Sequence, residues 1–146
     1  KEIAELKMGD VLNDDGTVKG EIRLTAQQTK GKDGRTVFLP AKLREELAVY
    51  LKTRHIKDST IPLFHTSCRL GWTPNTLCQH FFWLYKKAGI AGASSHSGRR
   101  QFITTLANKG ISVRILASLA GHKSIAVTQK YIDVNDDMKR AAVELI

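Results

Sequence analysis

Glycines divide the second half of the chain into short segments whose apolar residues recur every three or four positions. This spacing is typical of helices that bury one face, and a glycine just past the last turn commonly ends such a helix. Gly89, Gly110 and Gly121 therefore predict the ends of three successive helices. The pattern indicates a bundle of short helices, with Tyr131 within or just after the next short one.

The first half has a different pattern, in which polar and apolar residues alternate between strong turn signals. Residues 21–25 and 36–39 alternate as half-buried strands do, and the lysine-rich turn 30–34 joins them. Val11 and Leu12 begin a further extended region. We therefore expect an α+β fold that is mainly α, with a small antiparallel sheet of about three strands followed by a helical bundle.

Length bears on the number of domains. A chain of 146 residues is long enough to enclose one hydrophobic core. It opens with Lys1 inside an apparent helix, which Gly9 and Asp10 are expected to end. We therefore expect residues 1–146 to form a single domain that is truncated at its N-terminus.

The charge of the chain narrows the class of partner. Lys and Arg total 23 against 14 Asp and Glu, which gives a net charge of +9. A folded domain this basic is most simply explained by a polyanion, with nucleic acid first and an anionic membrane surface second; the alternative is a merely soluble cationic protein. No apolar run approaches the about 20 residues of a membrane span, and no signal peptide is evident, so we expect a cytoplasmic protein.

The cysteines and three of the histidines do not suggest a metal site. Cys68 and Cys78 lack a matching Cys/His pair, so we expect them to be small buried apolar residues and expect no metal. His55, His65 and His80 have no partner at ligand spacing, and we interpret them as structural or solvent-facing.

Four polar residues of the last third suit phosphate chemistry. His96 and Arg99 lie at a predicted helix start, where N–H groups and the helix dipole favour an anion. His122 follows a helix-ending glycine, and Tyr131 comes nine residues later. Arginine can hold two phosphate oxygens, histidine can transfer protons near neutral pH, and a phenol among cations can attack phosphorus. Together they predict phosphoryl transfer to a protein nucleophile.

The same residues carry a family resemblance that spans essentially the whole chain. The segments HSGRRQFITTLANKG and LASLAGHKSIAVTQKYID resemble the catalytic domain of the tyrosine recombinases, the phage integrase family. H-x-x-R, a Gly-His pair and a tyrosine nine residues on occur there in that order. The front also fits: KEIAELKMGDV resembles an E-L segment of the family, and QTKGKDGRTVFLP resembles its lysine-bearing β-hairpin.

The resemblance implies a role for each matching residue of the last third. Arg99 would clamp the scissile phosphate, and His96 would hydrogen-bond it or take the proton of the tyrosine. His122 would contact the phosphate and help to hold the transition state. Tyr131 would be the nucleophile.

The resemblance also assigns the basic residues of the hairpin and its surroundings. Lys30 matches the family's hairpin lysine, which donates a proton to the leaving 5′ oxygen, and Lys32 is a rival two residues on. The cations expected to contact DNA are Lys32, Arg100, Lys123 and Lys130.

The implied activity is DNA strand cleavage and rejoining by transesterification through a 3′-phosphotyrosyl intermediate. The implied partners are double-stranded DNA and three further copies in a homotetramer, with no cofactor, metal, membrane or small-molecule substrate. The apolar face of residues 136–146 is expected either to dock on a neighbouring copy or to pack on its own domain.

The family pattern also has parts that this chain does not match. Its first catalytic arginine would fall before Lys1, and we expect its N-terminal core-binding domain to be absent from residues 1–146, so we expect these residues alone to be inactive or impaired. Two alternatives stay open: a non-catalytic DNA-binding accessory protein derived from a recombinase, and a type IB topoisomerase-like nicking enzyme.

Overall fold

A computed structural model describes residues 1–54, 58–68, 71–132 and 136–146, without the side chain of Asp137. His55 lies outside these ranges. The chain forms two compact units, Lys1–His80 and Phe81–Ile146.

The first unit combines short helices with a β-hairpin. Its elements are α1 (Glu2–Glu5), α2 (Met8–Val11), β1 (Glu21–Leu24), β2 (Arg35–Phe38), α3 (Ala41–Lys52) and the start of α4 (Pro74–Lys87), which continues into the second unit.

The described sheet has two antiparallel strands rather than about three. Ile22 of β1 lies opposite Val37 of β2. The third extended region forms only a single bridge, between Leu12 and Val18. The chain turns back too early for a strand there, because the Asn13 N–H already donates to the Thr17 carbonyl over 2.8 Å.

The start of the chain differs from the sequence prediction. Gly9 does not end a helix but lies inside α2, and its N–H donates to the Ser59 carbonyl over 2.9 Å. A Cβ at Gly9 would lie 3.0 Å from the Ser59 Cβ, so glycine allows this close approach. The approach seals a core formed by residues of α2, β1 and the loop before α4, namely Met8, Val11, Ile22, Leu24 and Leu63.

The second unit contains the predicted helical bundle. After α4 come α5 (Ser97–Asn108), α6 (Val113–Ala120), α7 (Ile125–Gln129) and α8 (Asp136–Val143). The glycine prediction is confirmed, because Gly89, Gly110 and Gly121 follow α4, α5 and α6 with φ of 72°, 80° and 68°. Only glycine adopts this left-handed conformation without steric cost.

The core of the second unit lies between α5 and α6. Its buried members are Ile103, Ala107, Leu116 and Ala120. Tyr131 and Ile132 pack against this cluster from the turn after α7. The predicted nucleophile is therefore half-buried against the core of the bundle, in a turn.

Two further expectations can be compared with the structure. Cys68 and Cys78 are exposed, so the prediction of buried cysteines was wrong. Within the described ranges, no helix is both long and apolar enough to cross a bilayer.

Candidate active site

His96 and Arg99 lie at the start of α5, as predicted. Two serines organise this end, because the Ser94 N–H donates to the Ser97 hydroxyl over 2.8 Å and the Ser97 N–H donates to the Ser94 carbonyl over 3.0 Å. His96 is the N-cap residue, and its exposed imidazole makes no capping hydrogen bond. Hydrogen bonds between the two serines thus cap this end of the helix, and the imidazole is not held against the backbone.

The side chain of Arg99 is anchored to the end of the next helix. Its Nη1 donates to the carbonyl oxygen of Ala120 over 2.7 Å. Ala120 is the last residue of α6, where carbonyl groups have no partner within the helix. One donor of the guanidinium satisfies this carbonyl and fixes the plane of the group.

His122 is positioned by the glycine that ends α6. Gly121 has the left-handed φ of 68°, which turns the chain so that the His122 N–H donates to the Ala117 carbonyl over 2.9 Å. The Nδ1 atom of His122 lies 2.8 Å from the hydroxyl oxygen of Thr128. Thr128 is 0% exposed, so this hydrogen bond is shielded from water on the threonine side.

Tyr131 lies in the turn after α7, beside His122. Its N–H donates to the Thr128 carbonyl over 3.0 Å, and its carbonyl oxygen lies 3.4 Å from the Thr104 hydroxyl oxygen. The phenol and the His122 imidazole are stacked, with ring centroids 6.0 Å apart and planes inclined by 21°. The second unit thereby places the predicted nucleophile Tyr131 against the His122 imidazole, and Arg99 is hydrogen-bonded to the helix end two residues before His122.

The two candidate hairpin lysines belong to the first unit. They lie in the turn between β1 and β2, where both side chains are exposed. The turn is organised by Thr29, which is 4% exposed and whose hydroxyl lies 2.9 Å from the Asp33 carbonyl and 3.2 Å from the Ala26 carbonyl. Lys30 directly follows this buried residue. Lys32 occupies a left-handed position with φ of 58°.

The other predicted DNA-contacting cations are exposed next to the site residues. Arg100 follows Arg99 on α5, Lys123 follows His122, and Lys130 precedes Tyr131. Over the described residues, no group of three His, Cys, Asp or Glu side chains is arranged to hold a metal ion.

Two parts of the site were missed by sequence reasoning, namely Thr128 and the Ala120 carbonyl. A threonine between the candidate histidine and the candidate tyrosine gives only a weak signal, because threonine is also common on ordinary helix surfaces. Its complete burial in a five-residue helix is visible only in the structure. A backbone carbonyl gives no sequence signal at all.

Comparison with known proteins gives consistent results. The model of the phage integrase family matches residues 1–138. The tyrosine recombinase XerA of Pyrococcus furiosus is 32% identical over 146 residues, which cover 98% of this chain and 48% of that protein. The tyrosine recombinase XerD of Rickettsia conorii is 28% identical over 97% of this chain and 49% of that protein.

Solved structures have the same fold. A crystal structure of XerA recombinase superimposes with a TM-score of 0.76 at 27% identity, covering 99% of this chain and 50% of that one. A structure of XerH recombinase in a post-cleavage complex with its difH substrate superimposes with a TM-score of 0.67 at 22% identity. The match covers 96% of this chain and 39% of that one. The chain spans about half the length of the curated relatives it matches.

Proposed function

Because the chain belongs to the phage integrase family, we propose that it is the catalytic domain of a site-specific DNA recombinase. It cleaves and rejoins DNA strands through a 3′-phosphotyrosyl intermediate. The observation that carries this proposal is the stacked pair of His122 and Tyr131, with Arg99 anchored beside them. DNA binding alone would not require a phenol aligned in this way.

The first chemical step forms a bond between the Tyr131 phenol oxygen and a DNA phosphorus. The bond from phosphorus to the 5′ oxygen breaks, and a 5′ hydroxyl leaves. The phenol proton passes to His96, or to water where His96 only hydrogen-bonds the phosphate, and Lys30 supplies the proton to the leaving oxygen. These transfers match general acid–base catalysis near neutral pH.

Charge stabilisation comes from the chain itself. Arg99 holds two non-bridging oxygens of the phosphate, for which a guanidinium fork is well suited. His122 donates a hydrogen bond to the same phosphate as charge develops on it. Preorganised donors of this type commonly contribute about 10²-fold or more to the rate.

The second step reverses the first on another duplex. A 5′ hydroxyl attacks the phosphotyrosyl phosphorus, the Tyr131 oxygen leaves, and the strand is rejoined. The number of phosphoester bonds is unchanged, so the reaction needs no ATP. The substrate is double-stranded DNA in the cytoplasm, and the exposed Lys32, Arg100, Lys123 and Lys130 contact its backbone.

Recombination of two duplexes calls for four copies of the protein. We propose that the end of the chain docks on a neighbouring copy in a homotetramer. Support comes from α8 and the residues after it, where Val143 and Leu145 are 67% and 87% exposed. Apolar side chains this exposed gain free energy when a partner covers them.

A covalent-adduct assay tests the proposed chemistry. The chain, together with any residues that precede Lys1 in its gene, is incubated with nicked duplex DNA whose cleaved fragment diffuses away. We expect an SDS-resistant protein–DNA adduct, and Tyr131→Phe should abolish it. Tyr50→Phe removes another phenol, which donates to the Leu63 carbonyl in the first unit, and should leave the adduct intact.

The same assay separates the alternatives. DNA binding without any adduct would contradict the proposal and favour an accessory protein. An adduct that relaxes supercoils but never joins two duplexes would favour a topoisomerase-like nicking enzyme.

A further inference from the structure

Thr128 contacts both aromatic members of the site, through two different groups. Its hydroxyl lies 2.8 Å from His122 Nδ1, and its carbonyl accepts the Tyr131 N–H over 3.0 Å. It is 0% exposed and lies in α7, between the two residues it contacts. A side-chain change at this position would therefore act directly on the imidazole, which is stacked on the phenol.

The hydroxyl of Thr128 has an unusual target for a helical threonine. Thr104 on α5 shows the common arrangement, in which the hydroxyl donates to the carbonyl one turn earlier, here Arg100 over 2.9 Å. Thr128 instead meets a ring nitrogen of a side chain that the proposed mechanism uses. A buried hydroxyl with such a partner bears on the chemistry of that ring as well as on packing.

We propose that Thr128 is a positioning residue that sets the tautomer of His122 and holds its ring on Tyr131. In a neutral imidazole only one nitrogen carries a proton, and the hydrogen bond at one nitrogen determines the state of the other. In this proposal the Thr128 hydroxyl is the donor and Nδ1 is the acceptor, so that Nε2 carries the proton and can donate to a phosphate oxygen. This inference rests on the proposed function for its effect on cleavage, but not for its effect on the ring.

The first experiment measures the tautomer without DNA. Histidine nitrogens are labelled with ¹⁵N, and their NMR shifts are recorded at a pH where the ring is neutral. We expect a single Nε2-protonated state for His122 in the wild type and in Thr128→Ser. Thr128→Val and Thr128→Ala, which lack the hydroxyl, should give averaged shifts of both tautomers.

The four side chains tested at position 128 form two matched pairs. Thr and Val have similar shape but differ in the hydroxyl, and Ser and Ala differ in the hydroxyl after the same methyl group is removed. If Thr128→Val fails to fold, as thermal unfolding would reveal, the Ser/Ala pair still decides. Thr105→Val on the exposed side of α5 is the control for an unrelated threonine.

The second experiment measures cleavage in the adduct assay. Thr128→Val and Thr128→Ala should slow adduct formation by about tenfold or more with little change in DNA affinity, as second-layer partners of histidine commonly do. Thr128→Ser should stay within about threefold of the wild type. A residue important only for folding would not show this rescue by serine.

Two results would overturn the proposal. The first is that Thr128→Val and Thr128→Ala keep the nitrogen shifts and the cleavage rate of the wild type. The second is that Thr128→Ser loses as much of the cleavage rate as Thr128→Ala. If the wild type forms no adduct at all, the proposed function fails, whereas the nitrogen shifts still report whether Thr128 sets the tautomer.

Discussion

Arg99 donates a hydrogen bond from Nη1 to the carbonyl oxygen of Ala120 over 2.7 Å, joining the start of α5 to the end of α6. Two residues after Ala120 comes His122, so the same helix end supports both side chains. The relative position of arginine and histidine is therefore set by the packing of α5 on α6 and by the tight turn at Gly121. Such an arrangement would suit the proposed site, in which several groups meet one phosphate at once.

Replacing Arg99 by lysine should slow cleavage by about 100-fold, although the charge is kept. A planar guanidinium can donate to the Ala120 carbonyl and to two phosphate oxygens at the same time. The ammonium of lysine lacks this fixed planar set of donors. Single-turnover adduct formation measures the effect. Arg114→Lys on α6 is the matched control, and equal rates for both variants would contradict the proposed clamp.

Lys30→Ala should slow cleavage of normal DNA but not of DNA with a sulfur at the 5′ bridging position. A thiolate leaves without a proton, so the general acid becomes unnecessary. The ratio of cleavage rates on the two substrates measures this. Rescue by sulfur in Lys32→Ala, but not in Lys30→Ala, would assign the role to Lys32 instead.

Gly121→Ala should destabilise the second unit by about 1–2 kcal/mol, because an alanine Cβ is strained at φ 68°. Gly98→Ala should instead stabilise it by about 0.5–1 kcal/mol, because Gly98 lies in α5 and a Cβ there would meet only the Tyr85 hydroxyl oxygen at 3.8 Å. Urea unfolding gives both values. Shifts of the same sign would argue against this account of the two glycines.

DNA affinity should fall steeply with salt, since each bound phosphate releases counterions. Alanine at Arg100, Lys123 or Lys130 should reduce the slope of log K against log salt by about 0.9 for each phosphate that is no longer neutralised. Fluorescence anisotropy over a salt series measures the slope. An affinity independent of salt would exclude a phosphate interface.

Deletion of residues 136–146 should abolish the pairing of two duplexes while each duplex is still bound. The reason is the removal of the exposed apolar side chains at the end of the chain. Native gels with two labelled duplexes resolve both complexes. Unchanged pairing would remove the proposed role of this segment.

The sequence predicted the helices better than it predicted burial. Glycines at left-handed positions mark helix ends through local sterics, so Gly110 and Gly121 could be assigned without tertiary information. Gly9 could not, because its role depends on Ser59, which is distant in the chain. The prediction of a third strand failed for a similar reason. Extended residues form a strand only where a partner segment continues the hydrogen-bonded pairing, and here the pairing stops at one bridge.

The candidate site was predictable only as far as its residues have distinctive chemistry. Arginine, histidine and tyrosine in a fixed order suggest phosphate chemistry, and the structure places His122 and Tyr131 side by side. The supporting hydrogen bonds were not predictable, because Thr128 and the Ala120 carbonyl gain their meaning from packing alone.

The buried Thr29 gives the turn between β1 and β2 a fixed shape before any ligand arrives. The conformational entropy of that turn is therefore lost during folding and not during association. A substitution of Thr29 that loosens the turn would touch no ligand atom. Calorimetry would nevertheless record its effect as a less favourable entropy of binding.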